Sequence, residues 1–384
     1  MSLANNKAYG YWLLKILFVA YYDARSGKRN TINQLNYEWL LERQILRLWW
    51  LILNRRYQLL PGIAFVVQEP KVREIFAATF RDRIVHHLVY NAIVDFWEAR
   101  FIYDSYSCRI GKGTHFGVQR AAGFMRQASH NYTREAWVMK LDISGYFMSI
   151  SRRLMWRIIR QKMLMSPQAH FSPWMRSLLY YLIPIIVFAD PTIGVHKRGS
   201  KAKWNKLPPR KSLFYMPPGQ GFPIGNLTSQ LFSNIFLHEL DTFVKHKLHI
   251  KYYGRYVDDF ILVDTNKDRL LLAHRQIDHF LATRLHLTLH PHKVYIQPVT
   301  HGVTFVGAKI TPRGISSAAR ARHNFRRFKR QTASRDQTQA WESSFASYYG
   351  HIDSCRRLRP HPAKMALTQL PDFCQDLRQL MYGY

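Results

Sequence analysis

Two adjacent acids interrupt an otherwise apolar segment whose composition is typical of a β-strand. They are Asp258 and Asp259, within Tyr253–Val263. Side chains alternate across a strand, so the two acids cannot both sit comfortably in a core. The segment therefore predicts a β-hairpin that bends at the pair and carries both carboxylates at an exposed tip. An ordinary Asp-Asp turn without a chemical role remains an alternative for this segment taken alone.

A third acid, Asp142, lies near the end of a second apolar segment, Val138–Ile143, which we predict to be a buried strand. If the two strands are neighbours, the carboxylates and the backbone carbonyl of Ile143 gather hard oxygen ligands that suit Mg²⁺. Two such ions, for which Mn²⁺ could substitute, can activate a primer 3′-hydroxyl and stabilise departing pyrophosphate in an in-line displacement. Only a defined tertiary fold could bring residues so distant in the chain together.

The charge balance points to a polyanionic partner. The 384 residues include 56 lysines and arginines against 24 acids, a formal net charge of +32. So much like charge opposes compaction unless a partner neutralises it. Nucleic acid is the first candidate and an anionic membrane surface the second. An aromatic content of 14% favours nucleic acid, because rings stack on bases while basic groups hold phosphates.

The cysteines and the N-terminal segment argue against other classes of protein. Cys108, Cys355 and Cys374 are odd in number and lack the spacing of metal ligands, so neither a disulfide framework nor a zinc site is expected. The apolar run Tyr9–Tyr22 is short and contains Lys15, which predicts a buried helix rather than a membrane span. We expect a cytoplasmic protein without a membrane partner.

Periodicity along the chain predicts an α+β fold with a strand-built centre. Residues 1–60 are predicted as an N-terminal helical extension, with helices over Trp12–Tyr22 and Tyr37–Leu53. Residues 61–310 form the central domain, which carries a basic insertion near 190–211 with a short hairpin of its own. Beyond Thr311 the chain is predicted to turn helical and basic, so that 311–384 form a separate lobe.

Three ordered motifs resemble those of reverse transcriptases. They are Leu141–Phe147, Pro223–Gln230 and Tyr256–Asp259. The middle motif, Ile-Gly-x-x-x-Ser-Gln, is similar to that of diversity-generating retroelements; most other reverse transcriptases have glutamine before the glycine and proline after the serine. Three further segments are similar to the same clade: Ala24–Arg29, Phe80–His87 and Ser347–His351. The resemblance covers roughly residues 10 to 355.

The resemblance implies a right-hand polymerase fold with fingers, an antiparallel palm and a helical thumb. Asp142 and Asp258 match the metal ligands, together with the Ile143 carbonyl, and Asp259 lies beside them in a less essential role. Lys293 falls where a lysine can protonate departing pyrophosphate. It is also a single lysine in a very basic chain, so an ordinary surface charge is the alternative.

The nucleotide pocket also follows from the resemblance. Lys71 and Arg73 match finger positions that clasp the triphosphate, although a solvated basic face would look the same. Tyr146 matches the aromatic residue that excludes a 2′-hydroxyl, with its neighbour Phe147 as the alternative. Thr304–Gly307 resembles a primer-grip hairpin, and a plain structural hairpin would share its sequence.

Ile224 and Gly225 are expected beside the incoming base and sugar. Most relatives have glutamine at the first of these positions, so Ile224 removes a hydrogen-bond donor from the pocket. A looser pocket predicts error-prone copying, unless other residues compensate.

Basic residues in three regions are expected to contact nucleic acid. They are Arg81, Arg83, Lys197, Arg198, Lys201, Lys203, Arg320, Arg326, Arg327 and Arg330. No acid occurs from Pro191 through His238, so the loop Lys197–Lys211 is a candidate for gripping template RNA or an accessory subunit. A flexible surface loop is the alternative.

The expected function is RNA-directed DNA polymerisation from dNTPs, copying an RNA template into cDNA in a diversity-generating retroelement. The same chemistry in antiphage defence is a second possibility, and an RNA-binding scaffold that no longer polymerises is a third. No ribonuclease H, endonuclease or integrase segment fits in the remaining C-terminal residues, so other proteins are expected to supply those steps. An accessory protein or a homo-oligomer is a further expected partner.

Overall fold

The computed structural model describes residues 7–26, 31–68, 71–167, 171–332, 346, 349–350, 352–353 and 355. Its helices are α1 (Lys7–Arg25), α2 (Ile32–Glu38), α3 (Leu41–Leu53), α4 (Phe80–Glu98), α5 (Thr114–Ala128), α6 (Tyr146–Ser149), α7 (Arg152–Ile159), α8 (Pro173–Phe188), α9 (Lys201–Asn205), α10 (Leu227–His246), α11 (Lys267–Phe280) and α12 (Ala319–Thr332). Its strands are β1 (Ile63–Val67), β2 (Arg73–Ala77), β3 (Trp137–Asp142), β4 (His196–Arg198), β5 (Tyr252–Tyr256), β6 (Asp259–Asp264), β7 (Tyr295–Pro298), β8 (Val303–Phe305), β9 (Ala308–Thr311) and β10 (Gly314–Ser317). The predicted α+β class is confirmed.

A four-stranded antiparallel sheet, in the order β5-β6-β3-β7, lies at the centre of the described chain. Because side chains alternate along its strands, each strand contributes to two cores. Leu141 and Leu262 join a large core formed with helices that include α4, α8 and α10, whereas Val138 and Ile261 join a second core with α5 and the β8–β10 strands. Burial on both faces explains why β3 and β6 are nearly continuous apolar runs.

A second sheet has the order β2-β1-β4, with β1 antiparallel to β2 and parallel to β4. The predicted hairpin within the basic insertion is therefore wrong. Instead β4 pairs with the free edge of β1, and the short helix α9 follows it. Pairing with β4 satisfies backbone groups at the β1 edge that would otherwise lack hydrogen-bond partners, which explains why this exposed segment forms a strand.

A three-stranded antiparallel sheet, β8-β9-β10, follows the central sheet. The expectation of helix directly beyond Thr311 is wrong, because β10 returns along β9 and the helix begins only at Ala319. The return depends on Gly314, whose φ of 125° is accessible to glycine and strained for other residues. The predicted lobe of 311–384 lies largely outside the described residues.

The N-terminal helices pack on the main body of the described structure. Tyr9, Leu13 and Leu17 of α1 are fully buried in the large core, which also includes α4. The predicted single helix over Tyr37–Leu53 is two helices, since α2 ends at Glu38 and α3 begins at Leu41. Within the described ranges, none of the helices has the length and apolar character needed to cross a membrane.

Candidate active site

The aspartate pair lies where β5 turns into β6. Tyr256 pairs with Asp259, so Val257 and Asp258 form a two-residue bend. The bend is half-buried, which makes the predicted exposed tip wrong. It folds against the end of β3, where the Ile143 N–H donates to the Asp258 carbonyl at 3.1 Å. Backbone hydrogen bonding therefore joins the two segments that carry the acids.

The three carboxylates meet at this junction. Asp142 is directly opposite Asp259 in the β3–β6 register. Burial raises the pKa of Asp258, and the negative charge of Asp142 raises it further. Burial also raises the pKa of Asp259 to about 7. Because these carboxylates destabilise one another's negative charge, nearby cations would favour their ionised form.

Two lysines supply part of that positive charge. The Lys293 ammonium lies 2.7 Å from an Asp142 oxygen, and the Lys140 ammonium lies 3.1 Å from an Asp259 oxygen. These ion pairs turn the carboxylates towards lysines, and no cluster of three potential metal ligands is assembled among the described residues. The second carboxylate oxygen of Asp259 is buried without a hydrogen-bond partner in the same part of the chain.

Lys140 is a site residue that the sequence analysis missed. It lies two positions before Asp142 on a strand, and residues two apart point to the same face. A lysine inside the run Val138–Ile143 has no place in an apolar core unless it reaches a carboxylate. This spacing was the signal that could have identified it.

The second sheet brings two further cations to the acids. Arg73 begins β2 and Lys71 lies two residues before it, and both are exposed. Desolvation, followed by the charge of Lys293, lowers the pKa of Lys71, whereas Asp258 and Asp142 raise it. Arg73 in turn lowers the pKa of Asp258. The charges of Lys71 and Arg73 are therefore close enough to those of Asp142 and Asp258 to influence these pKa values.

The two neighbouring aromatic residues after Asp142 face different surroundings. Tyr146 is 2% exposed, and its hydroxyl donates to the Ser233 carbonyl at 2.6 Å in the large core. Phe147 is half-buried and also packs against a small cluster that contains Phe76. Gly145, with a φ of 54°, begins the short helix α6 that sets this orientation. The structure therefore does not place Tyr146 at a pocket surface.

Ile224 joins the small cluster that contains Phe76 and Phe147. Its carbonyl accepts a hydrogen bond from the Phe76 N–H at 2.8 Å, which attaches it to β2. Gly225 has a φ of 128°, and a Cβ there would come within 2.5 Å of the Phe76 carbonyl oxygen. Only glycine allows the chain to pass so close to β2.

Residues 68–310 match the family described as "Reverse transcriptase (RNA-dependent DNA polymerase)". The chain belongs to this family. The match includes the carboxylates, both lysines that bind them and the start of β2. Protein YkfC of Escherichia coli strain K12 is 25% identical to this reverse transcriptase over 297 residues, which are 67% of this chain and 69% of that protein.

Solved telomerase structures show a lower degree of likeness to the reverse transcriptase. A truncated apo telomerase of Candida tropicalis aligns with a TM-score of 0.46 and 12% identity, over 72% of this chain and 60% of that one. Telomerase of Candida albicans with a fragment of telomeric RNA gives 0.48 and 11%, over 83% and 58%. The chain thus spans about 60% of the length of these telomerase chains.

The basic residues predicted to contact nucleic acid differ in their exposure to solvent. Arg81 donates to the Asp82 carboxylate at 2.8 Å and to the Gln58 carbonyl, so its guanidinium is engaged within the fold. Arg83 is half-buried, and burial lowers its pKa. The exposed members of the predicted set are Lys197, Arg198, Lys201, Lys203, Arg326 and Arg327. The side chains of Arg320 and Arg330 lie outside what the structure describes.

Of the three remaining segments named in the sequence analysis, the structure describes one completely and two in part. Thr304–Gly307 forms the β8–β9 turn, with positive φ at Val306 and Gly307, so the predicted hairpin is present. Of Ser347–His351, only Tyr349 and Gly350 are described. In Ala24–Arg29, the residues from Gly27 onward lie outside the described part.

Proposed function

We propose that this chain is an RNA-directed DNA polymerase that copies an RNA template into cDNA by two-metal-ion nucleotidyl transfer. The observation that carries the proposal is the junction of β3 with the β5–β6 bend, where Asp142 lies opposite Asp259 and the Ile143 N–H donates to the Asp258 carbonyl. The charges of Lys71 and Arg73 act on this junction. Carboxylates on one side and phosphate-binding cations on the other form the charge pattern that a magnesium nucleotide complex requires.

The donor set has the chemistry that magnesium ions prefer. Asp142, Asp258 and Asp259 and the Ile143 carbonyl offer hard oxygens, and the Asp259 oxygen that is buried without a partner in the described chain is available to a cation. When bound, the two ions would supply the charge that lowers the barrier to phosphoryl transfer. Lys140 holds the other oxygen of Asp259, which limits the positions that this carboxylate can adopt.

Protein side chains perform the remaining steps. Lys71 and Arg73 bind the triphosphate and orient it against the carboxylates. Lys293 is 40% exposed and lies 2.7 Å from Asp142, so its ammonium reaches both the site and solvent. It is positioned to give a proton to the departing pyrophosphate and to recover one from water.

Sugar selection falls to Phe147 rather than Tyr146. The Tyr146 ring is enclosed in the core and its hydroxyl is bonded to the α10 backbone, so it offers no surface to a nucleotide. Phe147 borders the cluster that contains Ile224 and reaches partial exposure. A ring at this position leaves no space for a 2′-hydroxyl.

The exposed insertion supplies a surface for template RNA. Lys197 lies 3.8 Å above the Phe214 ring, and the cations Arg198, Lys201 and Lys203 are exposed around it. Such a surface holds a single-stranded phosphate backbone without reading its sequence. Arg326 and Arg327 on α12 would hold the product duplex in the same manner.

The biological setting that we propose is a diversity-generating retroelement, in which error-prone copying is the useful activity. Support comes from the Ile-Gly-x-x-x-Ser-Gln motif and from Ile224, which gives the pocket an aliphatic side chain where a glutamine would offer a hydrogen bond. Antiphage defence uses the same chemistry. A template repeat and a variable target gene beside the coding sequence would support the retroelement.

The test is primer extension on an RNA template with wild type and Asp258→Asn. An amide cannot replace an anionic metal ligand, so extension should fall below detection while the far-ultraviolet circular dichroism spectrum is unchanged. Asp264→Asn is the matched control, because Asp264 ends β6, the strand that follows the bend, and pairs with Arg269 at the surface. Normal extension by a folded Asp258→Asn protein would contradict the proposal.

A further inference from the structure

A fully buried ion pair lies behind the catalytic bend. The side chains of Arg255 on β5 and Asp241 on α10 are 1% and 0% exposed. The guanidinium binds the carboxylate through two hydrogen bonds, of 2.7 and 2.6 Å. Tyr253 donates its hydroxyl to the same carboxylate at 2.7 Å. Both charges are thus satisfied in the core, between the long helix and the hairpin.

The same guanidinium also reaches the bend itself. Arg255 donates to the Val257 carbonyl at 3.0 Å and to the Ser105 hydroxyl at 3.2 Å. Its backbone pairs with the segment around Ser105 as well, since its N–H donates to the Asp104 carbonyl at 2.8 Å. One side chain therefore ties the peptide before Asp258 to a helix and to a neighbouring segment.

The bend needs such a restraint because its backbone is strained. Val257 has a φ of 55°, a left-handed conformation that is unfavourable for a β-branched residue. The conformation persists only where the surroundings determine it. Arg255 holds the carbonyl of Val257, and the Ile143 N–H holds the carbonyl of Asp258. The two bonds together fix both peptides of the bend.

We propose that Arg255 and Asp241 are positioning residues, which hold the Val257–Asp258 bend in its metal-binding geometry. A buried ion pair contributes little to stability compared with apolar side chains of similar volume. The distinctive contribution of this pair is the hydrogen bond from the Arg255 guanidinium to the carbonyl of Val257, the residue before Asp258. The inference rests on the proposed function, since it assigns Asp258 to a metal.

The first experiment replaces the pair with apolar side chains, Asp241→Leu together with Arg255→Met. This variant leaves no uncompensated charge in the core, so it should fold. Its turnover number should fall at least tenfold, and the Mg²⁺ concentration for half-maximal rate should rise several-fold. The KM for dNTP should change little, because Lys71 and Arg73 remain in place. Lys162→Met with Glu239→Leu removes another ion pair of α10 and is the matched control.

A second measurement separates positioning from stability. In a Val257→Gly background the left-handed conformation is no longer unfavourable, so the apolar pair Asp241→Leu with Arg255→Met should reduce turnover several-fold less than it does beside Val257. Equal losses in the two backgrounds, at equal melting temperatures, would overturn the proposal.

Binding of Mn²⁺, followed by electron paramagnetic resonance, gives a readout that does not require polymerisation. The apolar double variant should bind Mn²⁺ several-fold more weakly than wild type and the control variant. If wild type makes no DNA, the proposed function fails, yet this difference in affinity still tests the positioning role. Unchanged Mn²⁺ affinity in the folded double variant contradicts it.

Discussion

Two buried carboxylates support the two sheets of the active site in different ways. Asp241, behind the four-stranded sheet, is neutralised by the Arg255 guanidinium. Glu74, in the sheet whose strand β2 begins with Arg73, is 1% exposed. Within the described part of the chain it accepts hydrogen bonds from neutral donors, the Ser212 hydroxyl at 2.9 Å and the Leu213 N–H at 2.8 Å. Burial raises the pKa of Glu74.

The two carboxylates should therefore differ in how well the protein tolerates their replacement. A buried ion pair fails when either partner is lost, because the other charge is left in the core. Neutral donors accept a neutral replacement for the acid without such a penalty. The sheet that holds the proposed metal ligands therefore rests on an obligatory pair. The sheet next to the proposed triphosphate contacts rests on a replaceable contact between β2 and the insertion.

The largest expected effect is that of Asp241→Asn. Loss of the carboxylate leaves the Arg255 guanidinium buried without a counter-ion, which should lower the free energy of unfolding by about 3–5 kcal/mol. Urea unfolding followed by circular dichroism measures the change. A loss below about 1 kcal/mol would show that the buried pair is not the obligatory support described above.

The two neighbouring aromatic residues pack in different clusters. Tyr146 belongs to the large core, and Phe147 also packs against the cluster beside β2. Phe147→Ala should admit ribonucleotides, with discrimination against them falling by up to roughly a hundredfold, because the space for a 2′-hydroxyl opens. Tyr146→Ala should instead reduce stability. Single-nucleotide incorporation with dNTPs and NTPs measures the ratio. The reverse pattern would reassign the pocket to Tyr146.

The stability of the core behind the four-stranded sheet is expected to depend on pH. His86 of α4 is buried against the Thr228 hydroxyl of α10 at 2.7 Å, and burial lowers its pKa to about 4. Because an unfolded histidine titrates near 6.5, its contribution to stability is complete above that value and is lost as pH falls towards about 4. Between pH 7 and pH 5 the loss should be on the order of 2 kcal/mol.

Urea unfolding of wild type and His86→Gln at both pH values isolates this contribution. Glutamine does not titrate, so the variant should lose less stability on acidification. Identical pH dependence of the two proteins would exclude His86 as the source.

Ile224 packs in the small cluster beside β2, and its substitution should have a smaller effect. Ile224→Gln adds a hydrogen-bond donor to the proposed nucleotide pocket, and one such bond contributes roughly 0.5–1.5 kcal/mol. Misincorporation should therefore fall by about tenfold or less, with adenine templates the most informative. Sequencing of cDNA made by both proteins on one template gives the error rates. Equal error spectra would contradict the role of Ile224.

The smallest effect is expected for Glu74→Gln. The amide oxygen can accept from the Leu213 N–H, and the amide nitrogen can donate to the Ser212 hydroxyl. Since the folded pKa of Glu74 is raised, its favourable contribution is present below about 4.5 and is lost as pH rises through the folded value. At pH 8 the variant should be at least as stable as wild type, within about 1 kcal/mol. A loss as large as that of Asp241→Asn would remove the contrast between the two sheets.

Periodicity and local chemistry predicted the strands that carry the acids, because an apolar run ending in a carboxylate has few places in a fold. They could not predict the pairing of Arg255 with Asp241, since nothing local indicates that a charged side chain will find its partner in a core. The parallel pairing of β4 with β1 joins residues far apart in the chain, so the insertion looked like a loop. The choice between Tyr146 and Phe147 depends on the left-handed Gly145, which rotates α6 relative to the sheet.

The attachment of Ile224 to β2 has an evolutionary consequence. The bond from the Phe76 N–H goes to the backbone carbonyl of Ile224, so it does not depend on which side chain occupies position 224. Mutation there can alter the surface offered to a nucleotide while the strand that carries Arg73 keeps its anchor. If Ile224 has the role that we propose, copying accuracy can change at this position while the backbone attachment to β2 is kept.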